Sequence, residues 1–434
     1  MRNGIKLVGS ALFLFFQLAQ GQSLGRVGSA TDVVTTATAG TVLMGGGSDV
    51  DAAFTWMINK SGGGDFVVIR ATGTNAYNSY ILGLGPANSV ETFLINSVAQ
   101  ANDPALVETI KKAEAVFFAG GNQNDYIANY RGTALGSALD YLANTKHVPI
   151  GGTSAGMAIQ GSIYYDGNTN VLSPDVLPNP YLSGSGIHYN DFFQNPFLQK
   201  TICDTHFNTK GGTTTNGITG RQGRLMTFLS RMITDQNMTE VKAIACDEKT
   251  AVCIDENGLG MVVGLGKAYF LRQWCNVPET CVSGQALTWS NGVKVYKISG
   301  PGSYTAAPAA SKSVDLTNWT TVTGGDYEYW TVNSGVLTIG QTTATPSVCT
   351  ILNVSEAIKN DPIQIYPNPS NGTFRVVVAE NNATITILDV LGKTIKQQQA
   401  IGNSCDVKLE LSGCYFVHVT TASGTTIKKL IVKE

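Results

Sequence analysis

The chain is predicted to be an α/β protein on a doubly wound, mostly parallel sheet, followed by a small C-terminal immunoglobulin-like β-sandwich. Three observations predict it. Between about Thr41 and Ile298, apolar runs ending in glycine turns alternate with stretches of helical spacing, the pattern of parallel strands joined by crossover helices. From Ile363 onward the pattern shortens to alternating strands with turn residues between them. Composition supplies the core, because 43% of the 434 residues are hydrophobic and only 14% are charged. Ordinary soluble domains carry about 25% charged residues.

The 29 basic and 31 acidic residues nearly cancel and form no basic stripe, so the electrostatic footprint of a nucleic-acid partner is missing. A high apolar fraction with small net charge also argues against disorder.

The first element is a targeting segment. Arg2 and Lys6 precede an apolar run from about Leu7 to Ala19, and Ala19 and Gly21 offer small residues for cleavage. The run is shorter than the ~20 residues that span a bilayer, so residues 1–21 read as a signal peptide. Export places the eight cysteines in an oxidising compartment. Cys275 with Cys281, or Cys405 with Cys414, are candidate short disulfides, with the wider connectivity left open. No C-x-x-C pair occurs and the four histidines are scattered, so no metal site and no cofactor are expected.

The domain at 22–345, with its core at about 40–300, follows. TVLMGGGSD ends a strand in a glycine turn, DFVVIRAT is a second strand and TFLINS a third. PALVETIKKAEA is a helix leading into the strand AVFFAGGNQ, ALGSALDYLANT is a helix, and HVPIGGTSAG is a strand breaking into a tight turn. AIACDEKTAVCIDENG reads as a hairpin with Asp247 and Glu248 at its turn. Ligands of such sheets sit beyond the carboxyl ends of the strands, where these glycine turns lie. Residues 346–360 read as a linker, and 361–434 as the sandwich.

Gly152-Thr153-Ser154-Ala155-Gly156 is a G-x-S-x-G sequence between the strand VPIG and a helix expected over AGMAIQGSIYY. That setting suits a nucleophile elbow, with the Ala155 amide at the helix start facing a developing oxyanion. A serine nucleophile needs a base. His418 lies in the tail and His147 at the far end of the strand that feeds the elbow, leaving His188 and His206. No histidine follows His206 before the tail, so the acid must come after the base, unlike the usual α/β-hydrolase order. Ser154, His206 and Glu248 then supply nucleophile, base and orienting acid.

Two resemblances follow from these blocks. YPNPSNGTF, LDVLGKTI, GCYFVHVTT and the terminal KKLIVKE resemble the C-terminal sorting domain of the Bacteroidetes type IX secretion pathway over about 361–434. That implies passage across the outer membrane, secretion or surface attachment, and the type IX machinery as a partner. GGTSAG, FFAGGNQ, DTHF and ACDEKTAV, in this order, resemble the cyanophycinase and aspartyl-dipeptidase family of serine peptidases over roughly 40–300.

The second resemblance implies roles residue by residue. Ser154 is the nucleophile, His206 the base and Glu248 the acid. The amide of Gly121 or Asn122 joins Ala155 in the oxyanion hole, and Gln123, Asp204, Thr205 and Arg224 bind substrate. The chain departs from the family pattern at Thr205, where glutamine is usual, and at Asn122, where aspartate is frequent. It departs again in the polar insert NTKGGTTTNGITGRQ before GRL. The expected function is hydrolysis of β-aspartyl, Asp-Arg type, amide bonds in a peptide or cyanophycin-like polymer. An α-aspartyl dipeptidase and an inactive surface binding protein on the same fold are the alternatives, and a homodimer is carried as a further partner expectation.

Overall fold

The computed structural model describes residues 22–209, 220–273, 276–341, 363–378, 382–421 and 424–433. The signal peptide, the linker at 346–360, Cys275 and positions 210–219 of the polar insert lie outside the described residues. The chain divides into two compact units, Met1–Ser347 and Val348–Glu434.

Two sheets build the first unit. The ten-stranded one contains β1 (Gln22–Gly28), β2 (Gly40–Met44), β3 (Asp65–Arg70), β4 (Ser89–Leu94), β5 (Ala115–Phe118) and β6 (Pro149–Thr153). It also takes β11 (Thr250–Asp255), β12 (Leu259–Gly264), β15 (Ser313–Asp315) and β16 (Val322–Thr323), in the order β1-β4-β3-β5-β6-β2-β11-β12-β15-β16. The eight-stranded one contains β7 (Ile163–Tyr165), β8 (Ile187–Tyr189), β9 (Thr201–Asp204), β10 (Val241–Cys246), β13 (Lys267–Gln273), β14 (Trp289–Ser299), β17 (Asp326–Asn333) and β18 (Val336–Gln341). Its order is β18-β17-β14-β13-β10-β9-β7-β8.

The expected parallel sheet is present as a segment. Strands β4-β3-β5-β6-β2 run parallel. Side chains alternate between two apolar layers here. Val67 and Ile69 of β3 face Leu106, Ile110, Leu139 and Leu142 from α4 (Pro104–Lys112) and α6 (Ala134–Asn144). Phe66 and Val68 face Phe54, Met57 and Ile81 from α1 (Asp51–Lys60) and α2 (Ala76–Leu82). Helices thus cover both faces, which is why β3 reads as an unbroken apolar run. Local signals start them: Pro104 opens α4 behind Asp103, whose carboxylate accepts the Ala105 N–H at 3.0 Å.

The remainder is mixed. β11, β12, β15 and β16 add antiparallel, and the short turn joining β11 to β12 closes a hairpin. In the second sheet, Ile244 and Cys246 of β10 face Leu43, Val252 and Ile254 of the first sheet. Ala243 and Ala245 face Leu225, Phe228 and Leu229 of α9 (Gln222–Gln236). One layer of sheet therefore lies between the first sheet and α9.

Two local expectations are corrected. AIACDEKTAVCIDENG is not a hairpin, since β10 pairs with β9 and β13 while β11 pairs with β2 and β12. The turn at Asp247–Lys249 carries the chain from one sheet to the other, with Lys249 at φ 62°. The helix after Ser154 is a single turn, α7 (Ala155–Ala158), followed by the strand β7. The aromatic and β-branched run Ile163-Tyr164-Tyr165 favours strand, and it pairs with β8.

The second unit is a β-sandwich. β19 (Ile363–Tyr366), β20 (Thr373–Val378) and β23 (Ser404–Lys408) form one sheet. β21 (Thr384–Leu388), β22 (Thr394–Gln399), β24 (Gly413–Thr421) and β25 (Gly424–Val432) form the other. Phe374, Val376, Ile385, Ile387, Val407, Val417, Val419 and Leu430 share its core. The candidate pair Cys405 and Cys414 is two free thiols. Cys405 points into this core with Val407, whereas Cys414 alternates out of register with the buried Tyr415, Val417 and Val419, so the two face apart. Cys281 is likewise a free, buried thiol. Among the described residues, no helix is long and apolar enough to cross a membrane.

Candidate functional site

The candidate residues gather at the carboxyl ends of β2, β5 and β6, with the ends of β9 and β10 brought alongside by the second sheet. Ser154 follows β6 and begins α7 with φ 54° and ψ −115°, a conformation that costs a non-glycine residue about 1–3 kcal/mol. Its N–H donates to the Met44 carbonyl at 3.0 Å, tying the turn to β2. The flanking glycines are required by close approach: a Cβ on Gly152 would lie 2.9 Å from the Gly156 Cα.

Ser154 Oγ lies 2.7 Å from His206 Nε2, and His206 Nδ1 lies 2.7 Å from Glu248 Oε1. A carboxylate can only accept, so Nδ1 carries the proton and Nε2 presents its lone pair to the serine hydroxyl. His206 follows β9 at φ 46°, its N–H donating to the Gly45 carbonyl at 2.7 Å. Glu248 sits on the turn between the sheets, where its N–H donates to Asn208 Oδ1 at 3.0 Å. The glycine turn after β2 backs both partners. A Cβ on Gly46 would lie 2.5 Å from His206 Nε2, and one on Gly47 would lie 3.1 Å from the Glu248 Cβ.

The loop after β5 borders the serine: a Cβ on Gly120 would lie 3.6 Å from the Ser154 Cβ. Gly121 and Asn122 follow, and Asn122 Oδ1 caps α5 (Gln123–Tyr130) by accepting the Asn124 N–H at 3.1 Å. Ala155 opens α7, so its N–H is one of the helix's first donors, which have no intrahelical acceptor. Gln123 donates through Nε2 to the Tyr165 carbonyl at 3.4 Å.

Asp204 and Arg224 are placed differently from the rest. Their side chains, 4% and 3% exposed, pair with each other through Arg224 Nε at 3.2 Å and Arg224 Nη2. Arg224 Nη1 donates to the Val171 carbonyl at 3.0 Å, and the guanidinium lies over the rings of Tyr165 and Phe228. This pair is interior structure, with its hydrogen bonds made internally.

Arg221, three residues before Arg224, lies beside the site as well. Its Nη1 donates to the Thr205 carbonyl at 2.6 Å and to Thr205 Oγ1 at 3.2 Å, next to His206, and lies 3.8 Å from Asp204 Oδ1, while its buried Nε has no hydrogen-bond partner among the described residues. Burial, then the neighbouring Arg224 charge, pushes its pKa down to about 10. R-Q-G-R offered two arginines three apart, and nothing in composition marks which turns inward. Beside Glu248, burial pushes the Asp247 carboxyl up to about 6, with Oδ2 accepting the Lys267 N–H at 3.0 Å and Oδ1 without a hydrogen-bond partner among the described residues.

Comparison with known proteins agrees with both resemblances. Residues 364–433 match the family described as the secretion system C-terminal sorting domain. Over 209 residues the chain is 25% identical to a cyanophycinase of Geminocystis herdmanii, a match covering 48% of this chain and 64% of that protein. The chain thus spans less than two thirds of the length of the curated relative it matches. Among solved structures, a peptidase from an acI-B1 Actinobacterium aligns at 16% identity and TM-score 0.37, over 58% of this chain and 98% of that one. A putative peptidase E of Listeria monocytogenes aligns at 16% identity and TM-score 0.30, over 53% of this chain and all of that one. The sorting domain directs export by the type IX machinery to the cell surface or the medium. The chain therefore joins a region similar to cyanophycinase to a C-terminal sorting domain of the type IX secretion pathway.

Proposed function

We propose that the first unit is an exported serine hydrolase of peptide amide bonds, with β-aspartyl, Asp-Arg type, linkages as its substrate class. The observation that carries the reading is the unbroken relay of 2.7 Å contacts from Ser154 Oγ through His206 to Glu248. The strained turn at Ser154 supports its description as a nucleophile elbow, because strain of this kind aims a side chain outward. The similarity to cyanophycinase supports the substrate class.

In this reading Ser154 attacks the scissile carbonyl while His206 takes its proton, and Glu248 holds the imidazole in the tautomer that accepts. The Ala155 amide and that of Gly121 or Asn122 receive the oxyanion. His206 then protonates the leaving amine, and water resolves the acyl-enzyme. Gln123 and Thr205 line the substrate side. Arg221 reads the substrate's carboxylate in place of Arg224, since its Nε has no acceptor among the described residues. Around this unit we propose the signal peptide at 1–21, a catalytic domain at 22–345, a linker at 346–360 and an immunoglobulin-like sandwich at 361–434.

The test is hydrolysis of α- and β-linked aspartyl peptides read by mass spectrometry, with Ser154→Ala alongside. Wild type is expected to cleave the β-linked peptides, and Ser154→Ala to lose at least about 10³-fold in kcat with an unchanged unfolding transition. Retained activity in that variant removes Ser154 as nucleophile, and cleavage of α-linked peptides alone moves the substrate class to the α-aspartyl dipeptidases.

A further inference from the structure

The acid of the relay is gripped by a side chain that stands outside it. Glu248 sits on the turn that carries the chain from β10 to β11, and its side chain is 37% exposed, whereas a triad acid is commonly buried behind its histidine. A carboxylate this open can turn toward water. Its 2.7 Å contact with His206 Nδ1 therefore depends on how firmly the backbone beneath it is held.

Hydrogen bonds from different quarters hold that backbone. The Lys249 N–H donates to the Gly46 carbonyl at 2.8 Å, which ties the turn to the glycine loop after β2. The Thr250 hydroxyl donates to the Glu248 carbonyl at 3.2 Å, which ties the turn to itself. The Glu248 N–H donates to Asn208 Oδ1 at 3.0 Å, which ties the turn to the loop of the base, because Asn208 stands two residues after His206. An amide N–H can only donate, so the Asn208 atom facing it is the acceptor oxygen. That loop is itself closed, with the Phe207 N–H on the Cys246 carbonyl and the Thr209 N–H on the His206 carbonyl, both at 3.0 Å. Asn208 is exposed, so its side chain contributes this bond rather than burial.

We propose that Asn208 is a positioning residue of the relay: by accepting the Glu248 N–H it fixes the separation of acid and base and so keeps the imidazole in the tautomer that Ser154 needs. This deepens the hydrolase reading and rests on it. Asn208 touches neither substrate nor reacting atoms. It links the loop of His206 to the backbone of Glu248, so the two move together while the imidazole gains and loses its proton. Without the acceptor the Glu248 amide turns to water, the carboxylate ranges more widely, and the aligned relay is populated less.

The experiment sets Asn208→Leu, which removes the acceptor at nearly unchanged volume, beside Asn208→Asp, which keeps it. Asn208→Leu is expected to lower kcat on β-aspartyl-arginine by about 3- to 10-fold, the size of one hydrogen bond, with KM unchanged. Asn208→Asp is expected to restore most of that rate, and Asn208→Ala serves if the leucine variant fails to fold. In a Glu248→Ala background the leucine is expected to change nothing further, because its effect passes through the carboxylate. An equal fall in both backgrounds marks a structural role and overturns the proposal. The downfield proton NMR resonance of the His206 Nδ1–H on Glu248 gives a reading that needs no turnover, expected in wild type and Asn208→Asp and weakened in Asn208→Leu. Fluorophosphonate labelling of Ser154 separates the two proposals. If wild type is labelled and active while Asn208→Leu moves neither kcat nor the resonance, the positioning role alone is overturned. If wild type is neither labelled nor active, the hydrolase is rejected. The positioning role then stands where the leucine weakens the resonance, and falls where the resonance is absent from wild type or unmoved.

Discussion

Gly46 lies against the face of His206, so close that a Cβ at position 46 would sit 2.5 Å from the ring's Nε2. Gly46 also holds φ at +100°, a conformation that L side chains rarely adopt. The imidazole is therefore seated against bare backbone, with the hydroxyl of Ser154 2.7 Å from its Nε2.

Gly46→Ala tests that seating. The added methyl must displace the imidazole, and a displacement of about 1 Å costs on the order of 10²-fold in rate. Backbone strain adds about 1–3 kcal/mol of destabilisation. Steady-state kinetics and urea unfolding on the same preparation check both, with kcat expected to fall while the protein stays folded at ambient temperature.

The two arginines of R-Q-G-R are expected to separate function from stability. Arg224→Met leaves Asp204 buried without its partner and should cost about 3–5 kcal/mol. Arg221 is less buried and lies 3.8 Å from Asp204, so Arg221→Met, which removes its bonds to Thr205, should cost less, about 1–2 kcal/mol. Its kcat/KM on acidic peptides should drop by about 10- to 100-fold. Unfolding midpoints and kinetics of the two variants, measured side by side, would overturn the assignment if their effects were interchanged.

Asp247 supplies a pH dependence with a definite sign. Its folded pKa, about 6, lies above the ordinary value of 3.8, so the folded state holds the proton more tightly. The contribution to stability is fully present below pH ~4 and is lost as pH rises through about 6, a change of about 2–3 kcal/mol. Asp247→Asn should cancel that loss, gaining on wild type as pH moves from 4 to 7.5. Equal slopes of urea midpoint against pH in the two proteins would contradict the burial of this charge.

Deleting the tail domain separates export from catalysis. Without residues 348–434 the chain should stop short of the cell surface, because the sorting domain at 364–433 is what the type IX machinery reads. Cell fractionation, with fluorophosphonate labelling of the retained fraction, checks both halves of the expectation.

Much of this molecule is legible in its sequence. Strands ending in glycine, helices opened by Asp103-Pro104, and alternating tail strands are local patterns, and local patterns survive in a one-dimensional reading. The residue types of the relay were legible as well, because a serine on a strand–turn–helix needs a base and an acid, and chain order left few choices. What tertiary structure decided depends on which atoms become neighbours across long separations. Cys405 and Cys414 face apart because strand alternation puts one inside the sandwich and the other out. Asp247 and Glu248 lie on a bridge between two sheets, which a hairpin pattern cannot reveal, since pairing partners and not turn residues choose the sheet. Arg224 turns onto Asp204 while Arg221, at the start of α9, donates to Thr205, a difference set by the packing of α9 on the second sheet. The glycine turn was visible as a turn, and its second use, a floor beneath His206, appears only when β2 and β9 are brought together.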